Sequence, residues 1–122
     1  MPLKLLLVDD DRELCEELRD MLGDAGYLVE TAEDGAQGAR MIAAADYDAA
    51  ILDFKMPGSD GIELLEAIKR KSPRARVLLV TGRPDMEELL KDEPLASLAD
   101  GLLGKPFEPE ELLKKLSALE GK

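Results

Sequence analysis

Four short segments of this 122-residue chain concentrate the residues able to do ionic or group-transfer chemistry. They are Asp9-Asp10-Asp11, Asp53, Thr81-Gly82 and Lys105-Pro106. Each directly or closely follows an apolar run: Leu5-Leu6-Leu7-Val8, Ala49-Ala50-Ile51-Leu52, Val77-Leu78-Leu79-Val80 and Leu102-Leu103. If those runs lie side by side, one edge of a sheet collects several carboxylates, a hydroxyl and an ammonium. Two like charges about 4 Å apart repel by about 4 kcal/mol at an effective dielectric near 20. Converging aspartates therefore need either raised pKa values or a divalent cation. An all-oxygen, hydrated site favours Mg²⁺, with Mn²⁺ or Ca²⁺ as substitutes. Taken singly, each residue has an ordinary explanation. Asp11 suits the N-cap of a helix, and Asp9 and Asp10 can be solvated loop carboxylates. Thr81 after a strand and Lys105 before a proline are weak signals alone. Their joint placement at four strand ends is the informative feature.

Composition narrows the chemistry further. The chain has no histidine, which removes Ser-His and Cys-His dyads, histidine zinc sites and histidine bases. It carries 27 acidic and 16 basic residues, a net charge of −11. Such a surface repels nucleic acid and anionic membrane, so direct binding to either is not expected. Cys15 is the single cysteine and has no internal disulfide partner, which suits a reducing, cytoplasmic setting. No apolar run approaches the ~20 residues of a membrane span. The length fits one domain.

The elements that must position the four segments follow from periodicity. Lys4–Val8 is nearly all apolar, as in a strand buried on both faces. A helix then places Leu14, Leu18, Met21 and Leu22 on one face and closes at Gly23 and Gly26. A second strand covers Leu28–Ala32. A helix over 35–45 follows, with Ala36, Ala39, Ile42 and Ala43 expected inward. The third strand, 49–52, runs into Asp53. Asp60 precedes a helix over Gly61–Lys71 with Ile62, Leu65 and Ile68 inward, which Ser72-Pro73 ends. The fourth strand, 76–80, ends at Thr81. Asp85 opens a shorter helix with Met86, Leu89 and Leu90. Leu102-Leu103 marks a fifth strand, and Pro109 opens a last helix with Leu112, Leu113, Leu116 and Leu119. Strands alternating with helices predict an α/β fold: a parallel sheet covered on both faces, with right-handed crossovers and ligands at the carboxyl ends of the strands.

With these elements in place, the chain resembles the receiver domain of two-component response regulators. The resemblance is carried by Leu6-Leu7-Val8-Asp9-Asp10-Asp11, by Asp53-Phe54-Lys55-Met56-Pro57-Gly58-Ser59-Asp60-Gly61, by Val80-Thr81-Gly82 and by Lys105-Pro106-Phe107. Thr31-Ala32-Glu33-Asp34-Gly35 is similar to the family's exit from the second strand. It implies a flavodoxin-like, doubly wound (βα)5 fold with sheet order 2-1-3-4-5; residues 1–122 then read as a single receiver domain with no output module in this chain, either a single-domain regulator or a receiver cut from a longer protein. It also implies that Asp53 is a nucleophile, taking a phosphoryl group from a phosphohistidine on a sensor histidine kinase or histidine phosphotransfer protein. Asp10 and Asp53 would then ligate Mg²⁺ (or Mn²⁺) directly, Asp9 through water, and Lys55 through its carbonyl. Lys105 and Thr81 would hold phosphoryl oxygens, Gly82 would offer its backbone N–H, and Lys105-Pro106 would be cis. Phosphorylation would then switch the binding of an output partner that the sequence does not name.

Two departures bear on the switch. Receivers carry Tyr or Phe three residues before the lysine, where this chain has Leu102. Pro94 falls where the family's fourth helix continues, which predicts a short helix followed by irregular chain over 92–100. The family's dimer through that face is therefore weakened, so a monomer or weak dimer is expected. Lys55 and Arg83 stand two residues after Asp53 and Thr81, where the family's side chains flank hydrolytic water. Other classes fit less well. A phosphatase with an aspartyl nucleophile wants a second aspartate at position 55, which is lysine. A flavodoxin-like cofactor binder wants a Ser/Thr/Gly loop after the first strand, where three aspartates repel phosphate. A receiver-like binding module that works without phosphorylation is the remaining alternative.

Overall fold

Three of the apolar runs are buried at almost every position, and a strand of that kind is stable only with both faces covered. The computed structural model of the chain describes residues 3–56, 59–82, 91 and 94–120, with the backbone alone at 55, 56, 59 and 60. Its strands are β1 (Lys4–Val8), β2 (Leu28–Ala32), β3 (Ala49–Asp53), β4 (Lys55–Met56), β5 (Ser59–Asp60), β6 (Arg76–Thr81) and β7 (Gly101–Gly104). Its helices are α1 (Arg12–Asp24), α2 (Gly35–Ala44), α3 (Gly61–Lys71) and α4 (Pro109–Glu120). Five strands form one parallel sheet in the order β2-β1-β3-β6-β7. Counting those five alone, the order is 2-1-3-4-5, as the resemblance implies. β4 and β5 form a separate antiparallel ladder.

Alternation along each strand divides the core into two layers. Leu6, Val8, Leu52 and Leu79 face α2 and α3, where they meet Ile42, Leu65 and Ile68. Leu5, Leu7, Ile51 and Leu78 face α1 and α4, where they meet Leu18, Leu22, Leu112 and Leu116.

The inward face of α2 differs from the one expected. Ile42 is buried as expected, but Ala36, Ala39 and Ala43 are exposed, and the other buried residues of the helix are Gly35 and Gly38. A Cβ on Gly38 would stand 3.2 Å from Leu64 Cδ1 and 3.3 Å from Val8 Cγ2. The helix lies so close to the sheet and α3 that its contact row has almost no side chain. Alanine carries too little hydrophobic surface to reveal this from periodicity. The stretch expected to be irregular holds a 3₁₀ helix at Pro94–Leu98. Pro94 is its first residue, where a missing N–H removes no internal hydrogen bond. Arg83 and the helix expected from Asp85, with Met86, Leu89 and Leu90, lie outside the described residues.

The turns have local causes. Asp11 caps α1: its Oδ1 accepts from Leu14 N–H at 3.1 Å. Asp34 caps α2 through Gln37 N–H at 2.7 Å. Gly26, at φ 104°, ends α1 in the left-handed region that only glycine enters cheaply. Asp11→Ala is expected to destabilise the domain by about 1 kcal/mol in urea melts, as for N-caps generally. Farther from these caps, Asp100 joins three elements. It accepts from Lys69 Nζ of α3 at 2.7 Å and from Val77 N–H of β6 at 2.8 Å, immediately before β7 begins.

Candidate functional site

Register alone brings the polar strand ends together. Val8 pairs with Leu52, Asp53 with Val80 and Thr81 with Gly104, so the next residue of each strand opens onto one carboxyl-end surface. The ladder continues one step further at two places. Asp9 N–H donates to Ala32 O at 3.2 Å, and Lys105 N–H donates to Thr81 O at 2.7 Å. These bonds fix the backbone from which the Asp9 and Lys105 side chains depart.

Carboxylate oxygens of Asp9, Asp10 and Asp53 all lie within 4.8 Å of one another. Asp9 and Asp53 are 4% and 7% exposed, whereas Asp10 faces solvent. Lys105 enters this cluster and donates from Nζ to Asp9 Oδ2 at 3.0 Å and to Asp53 Oδ2 at 3.3 Å. Asp9 Oδ1 is also engaged, accepting from Asp11 N–H at 3.0 Å. Both Asp9 oxygens thus have protein partners, and Asp10 offers the open carboxylate. Lys105-Pro106 is cis.

Three carboxylates against one ammonium leave two negative charges in excess. Burial and then the neighbouring Asp9 carboxylate push the Asp53 carboxyl above its ordinary value, and Lys105 only partly opposes them. Burial works against the Lys105 ammonium, but its hydrogen bond to Asp9 and the charges of Asp9 and Asp53 prevail and raise it. Hard oxygen donors with an excess of two negative charges fit a divalent cation such as Mg²⁺.

Cys15 lies just beneath. Its buried thiol donates to the Asp9 backbone oxygen at 3.4 Å. Burial, followed by the charges of Asp9 and Asp11, pushes it up to about 11, so it is a structural thiol and not a nucleophile at neutral pH.

Of the residues singled out from sequence, Asp9, Asp10, Asp53 and Lys105 are brought together. Thr81 is buried at the end of β6, beside Gly104, and Gly82 follows it on the surface. Lys55 lies in β4, paired with Asp60; its side chain, like Arg83, is outside the described residues. Asp11 is a cap. Sequence reasoning names Gly61 in the motif and at the start of a helix but gives it no role at the site, where its N–H donates to Phe54 O at 2.9 Å directly behind Asp53. The available signal was a glycine standing immediately after Asp60, where a helix begins.

Comparisons with known proteins agree with this geometry. Residues 5–117 match the response regulator receiver domain family. The response regulator MprA of Mycolicibacterium vanbaalenii is 40% identical over 119 residues, covering 98% of this chain and 51% of that protein. The chain thus spans about half the length of the curated relatives it matches. Among solved structures, the chemotaxis response regulator CheY4 of Vibrio cholerae is 34% identical with a TM-score of 0.87, covering 98% of this chain and 99% of that one. The response regulator TrrA of Thermotoga maritima, solved in complex with Mg²⁺-BeF, is 31% identical with a TM-score of 0.82 over 98% and 99% of the two chains. Among the described residues no helix is long and apolar enough to cross a membrane. A five-stranded parallel sheet in the order 2-1-3-4-5, an acidic cluster at its carboxyl edge and these matches make the chain a member of the response regulator receiver domain family of two-component systems.

Proposed function

We propose that residues 1–122 form one receiver unit that accepts a phosphoryl group onto Asp53 from a phosphohistidine of a sensor histidine kinase or histidine phosphotransfer protein. The single observation that carries this reading is the Lys105 ammonium held between Asp9 and Asp53 with the open Asp10 carboxylate beside them. The donor histidine must come from the partner, because this chain has none.

In the proposed step, an Asp53 carboxylate oxygen attacks phosphorus. The new P–O bond forms as the P–N bond of the donor breaks, and the imidazole leaves with the bonding electron pair. Lys105 already shares its protons between two carboxylates, so it can turn one N–H to a phosphoryl oxygen without losing its other anchor. Thr81 and the Gly82 N–H contribute hydrogen bonds to the remaining oxygens. When bound, Mg²⁺ (or Mn²⁺) supplies positive charge that lets the carboxylates and the phosphoryl oxygens share one small volume. Asp10, Asp53 and the Lys55 carbonyl would hold it. Asp9 would act through water, a division supported by the prior engagement of both Asp9 oxygens.

The site is read as cytoplasmic, in keeping with the lone buried thiol. The output partner is a separate surface or domain, and a monomer or weak dimer suits the short 3₁₀ segment at Pro94–Leu98. One observation favours the alternative of a module that binds without phosphorylation. Leu102 occupies the place of the family's aromatic residue and packs against the α3-side core. Acetyl phosphate separates the two readings: a phosphoacceptor takes up an acid-labile, hydroxylamine-sensitive phosphoryl group in Mg²⁺, and a binding module takes up none.

Mg²⁺ should also stabilise the fold by mass action, because the carboxylates converge only in the folded chain. At ten times its Kd the gain is about 1.4 kcal/mol, visible as a raised Tm. Asp10→Asn is expected to lose most of that gain and to leave the metal-free domain more stable than the parent, since one repelling charge is gone. An unchanged parental Tm in millimolar Mg²⁺ contradicts the cation site.

A further inference from the structure

We propose that Gly61, the first residue of α3, is a positioning residue for phosphoryl acceptance: its lack of a side chain lets α3 lie directly against the Asp53–Phe54 backbone and sets where the Asp53 carboxylate departs. The inference rests on the reading of Asp53 as the phosphoacceptor. A methyl group built on Gly61 would overlap the Asp53 carbonyl oxygen. It would also stand 3.0 Å from the Asp53 carbonyl carbon and 3.2 Å from Phe54 Cα. All three are backbone atoms, which cannot rotate aside as a flexible side chain does.

The backbone they belong to is held from both directions. Phe54 N–H donates to Val80 O of β6 at 2.7 Å, and Gly61 N–H donates to Phe54 O at 2.9 Å. Phe54 itself is buried, so the segment has no free space into which to retreat. The chain leaves Asp53, pairs Lys55 with Asp60 across a narrow ladder, and returns so that residue 61 touches its own point of departure. Any side chain at 61 pushes on Asp53, from which the nucleophile projects, and on Phe54, the residue before the proposed Lys55 carbonyl ligand.

The need for glycine is steric and not conformational. Gly26 is the described glycine with a positive φ, and Gly61 does not share it. Helix propensity alone would favour alanine at 61. Other glycines supply controls. A Cβ on Gly23 meets nothing within 4 Å, and the atoms nearest one on Gly101, in the edge strand β7, are the side-chain tips of Leu78 and Leu119.

Gly61→Ala, Gly101→Ala and Gly23→Ala are compared with the parent in three measurements: Tm, Mg²⁺ affinity by calorimetry, and the rate of phosphoryl uptake from acetyl phosphate per folded molecule. Gly61→Ala is expected to weaken Mg²⁺ binding and slow uptake by about tenfold or more, because small misplacements of reacting groups are costly. Gly101→Ala is expected to lower Tm while keeping parental Mg²⁺ affinity and rate, and Gly23→Ala to change neither. Parental Mg²⁺ affinity and rate in Gly61→Ala overturn the proposal. Should that variant not fold, the parent decides by amide NMR: Gly61 and Phe54 amide resonances are expected to move on Mg²⁺ addition, and unmoved resonances overturn it. A parent that takes up no phosphoryl group refutes the Asp53 reading and this inference together; a competent parent matched by Gly61→Ala refutes the Gly61 role alone.

Discussion

Asp53→Asn is expected to take phosphoryl uptake below detection and, at the same time, to raise the Tm of the metal-free domain. The first effect follows from chemistry: an amide oxygen is not a nucleophile toward phosphorus under these conditions, and no other carboxylate shares the position of Asp53 at the end of β3. The second follows from electrostatics. Two ionised carboxylates whose oxygens lie within 4.8 Å of each other repel by about 3 kcal/mol or more at an effective dielectric near 20. Lys105 offsets part of that, so removing one charge should stabilise the fold by about 1–2 kcal/mol. The sign agrees with titration. Burial, and next the Asp9 charge, hold the Asp53 carboxyl above its ordinary value in the folded chain. A group raised in this way favours folding most below its ordinary carboxylate value, and that contribution is lost as pH rises through the folded value. Once ionised, Asp53 is therefore a burden on the apo fold. Equal Tm values for parent and variant at pH 8, well above the ordinary carboxylate range, would contradict this part of the account.

The largest loss of stability from a single polar residue is expected at Asp100. Its carboxylate binds Lys69 Nζ at 2.7 Å, Val77 N–H at 2.8 Å and Arg76 Nη1 at 3.5 Å, with 19% of its side chain exposed. Asp100→Ala leaves a half-buried ammonium and a backbone N–H without that acceptor. Such a change costs about 2–4 kcal/mol. Burial alone would raise the Asp100 carboxyl, but the hydrogen bonds from Lys69 and Val77, together with the Lys69 and Arg76 charges, lower it instead. A depressed carboxyl contributes stability that is fully present above its ordinary value and is lost as pH falls through the folded value. The parent should therefore lose stability more steeply on acidification than Asp100→Ala does, with both followed by urea melts. Asp100→Asn keeps an acceptor for Val77 N–H and should lose about half as much as the alanine variant. A neutral Asp100→Ala would mean that Lys69 relies on its other bond, to Ala75 O at 2.6 Å, and that the clasp adds nothing.

The sheet was legible because its central strands are unbroken apolar runs, and the polar residue that ends each run marks the edge where chemistry gathers. Lys4–Val8 and Gly61–Lys71 fall where periodicity places them. The buried face of α2 differs from the periodic one because its close packing is achieved with glycine, which periodicity of apolar side chains does not register. In the site, the grouping of Asp9, Asp10, Asp53 and Lys105 was readable from strand ends. The division of labour between Asp9 and Asp10 was not. It depends on how the chain turns after Val8, which directs one Asp9 oxygen to Asp11 N–H and the other to Lys105. The role of Gly61 is unreadable for a similar reason: it is the space the residue leaves empty, and only the path of the backbone past Asp53 reveals that space.

The central claim is that Asp53 alone carries the phosphoryl group, and locating the modified residue tests it most directly. The parent is treated with acetyl phosphate and Mg²⁺, the acyl phosphate is reduced with borohydride, and peptides are mapped by mass spectrometry for the aspartate converted to homoserine. The account predicts conversion at position 53 and nowhere else. Conversion at Asp9, Asp10 or any other carboxylate, or none in a parent that binds Mg²⁺, would contradict it.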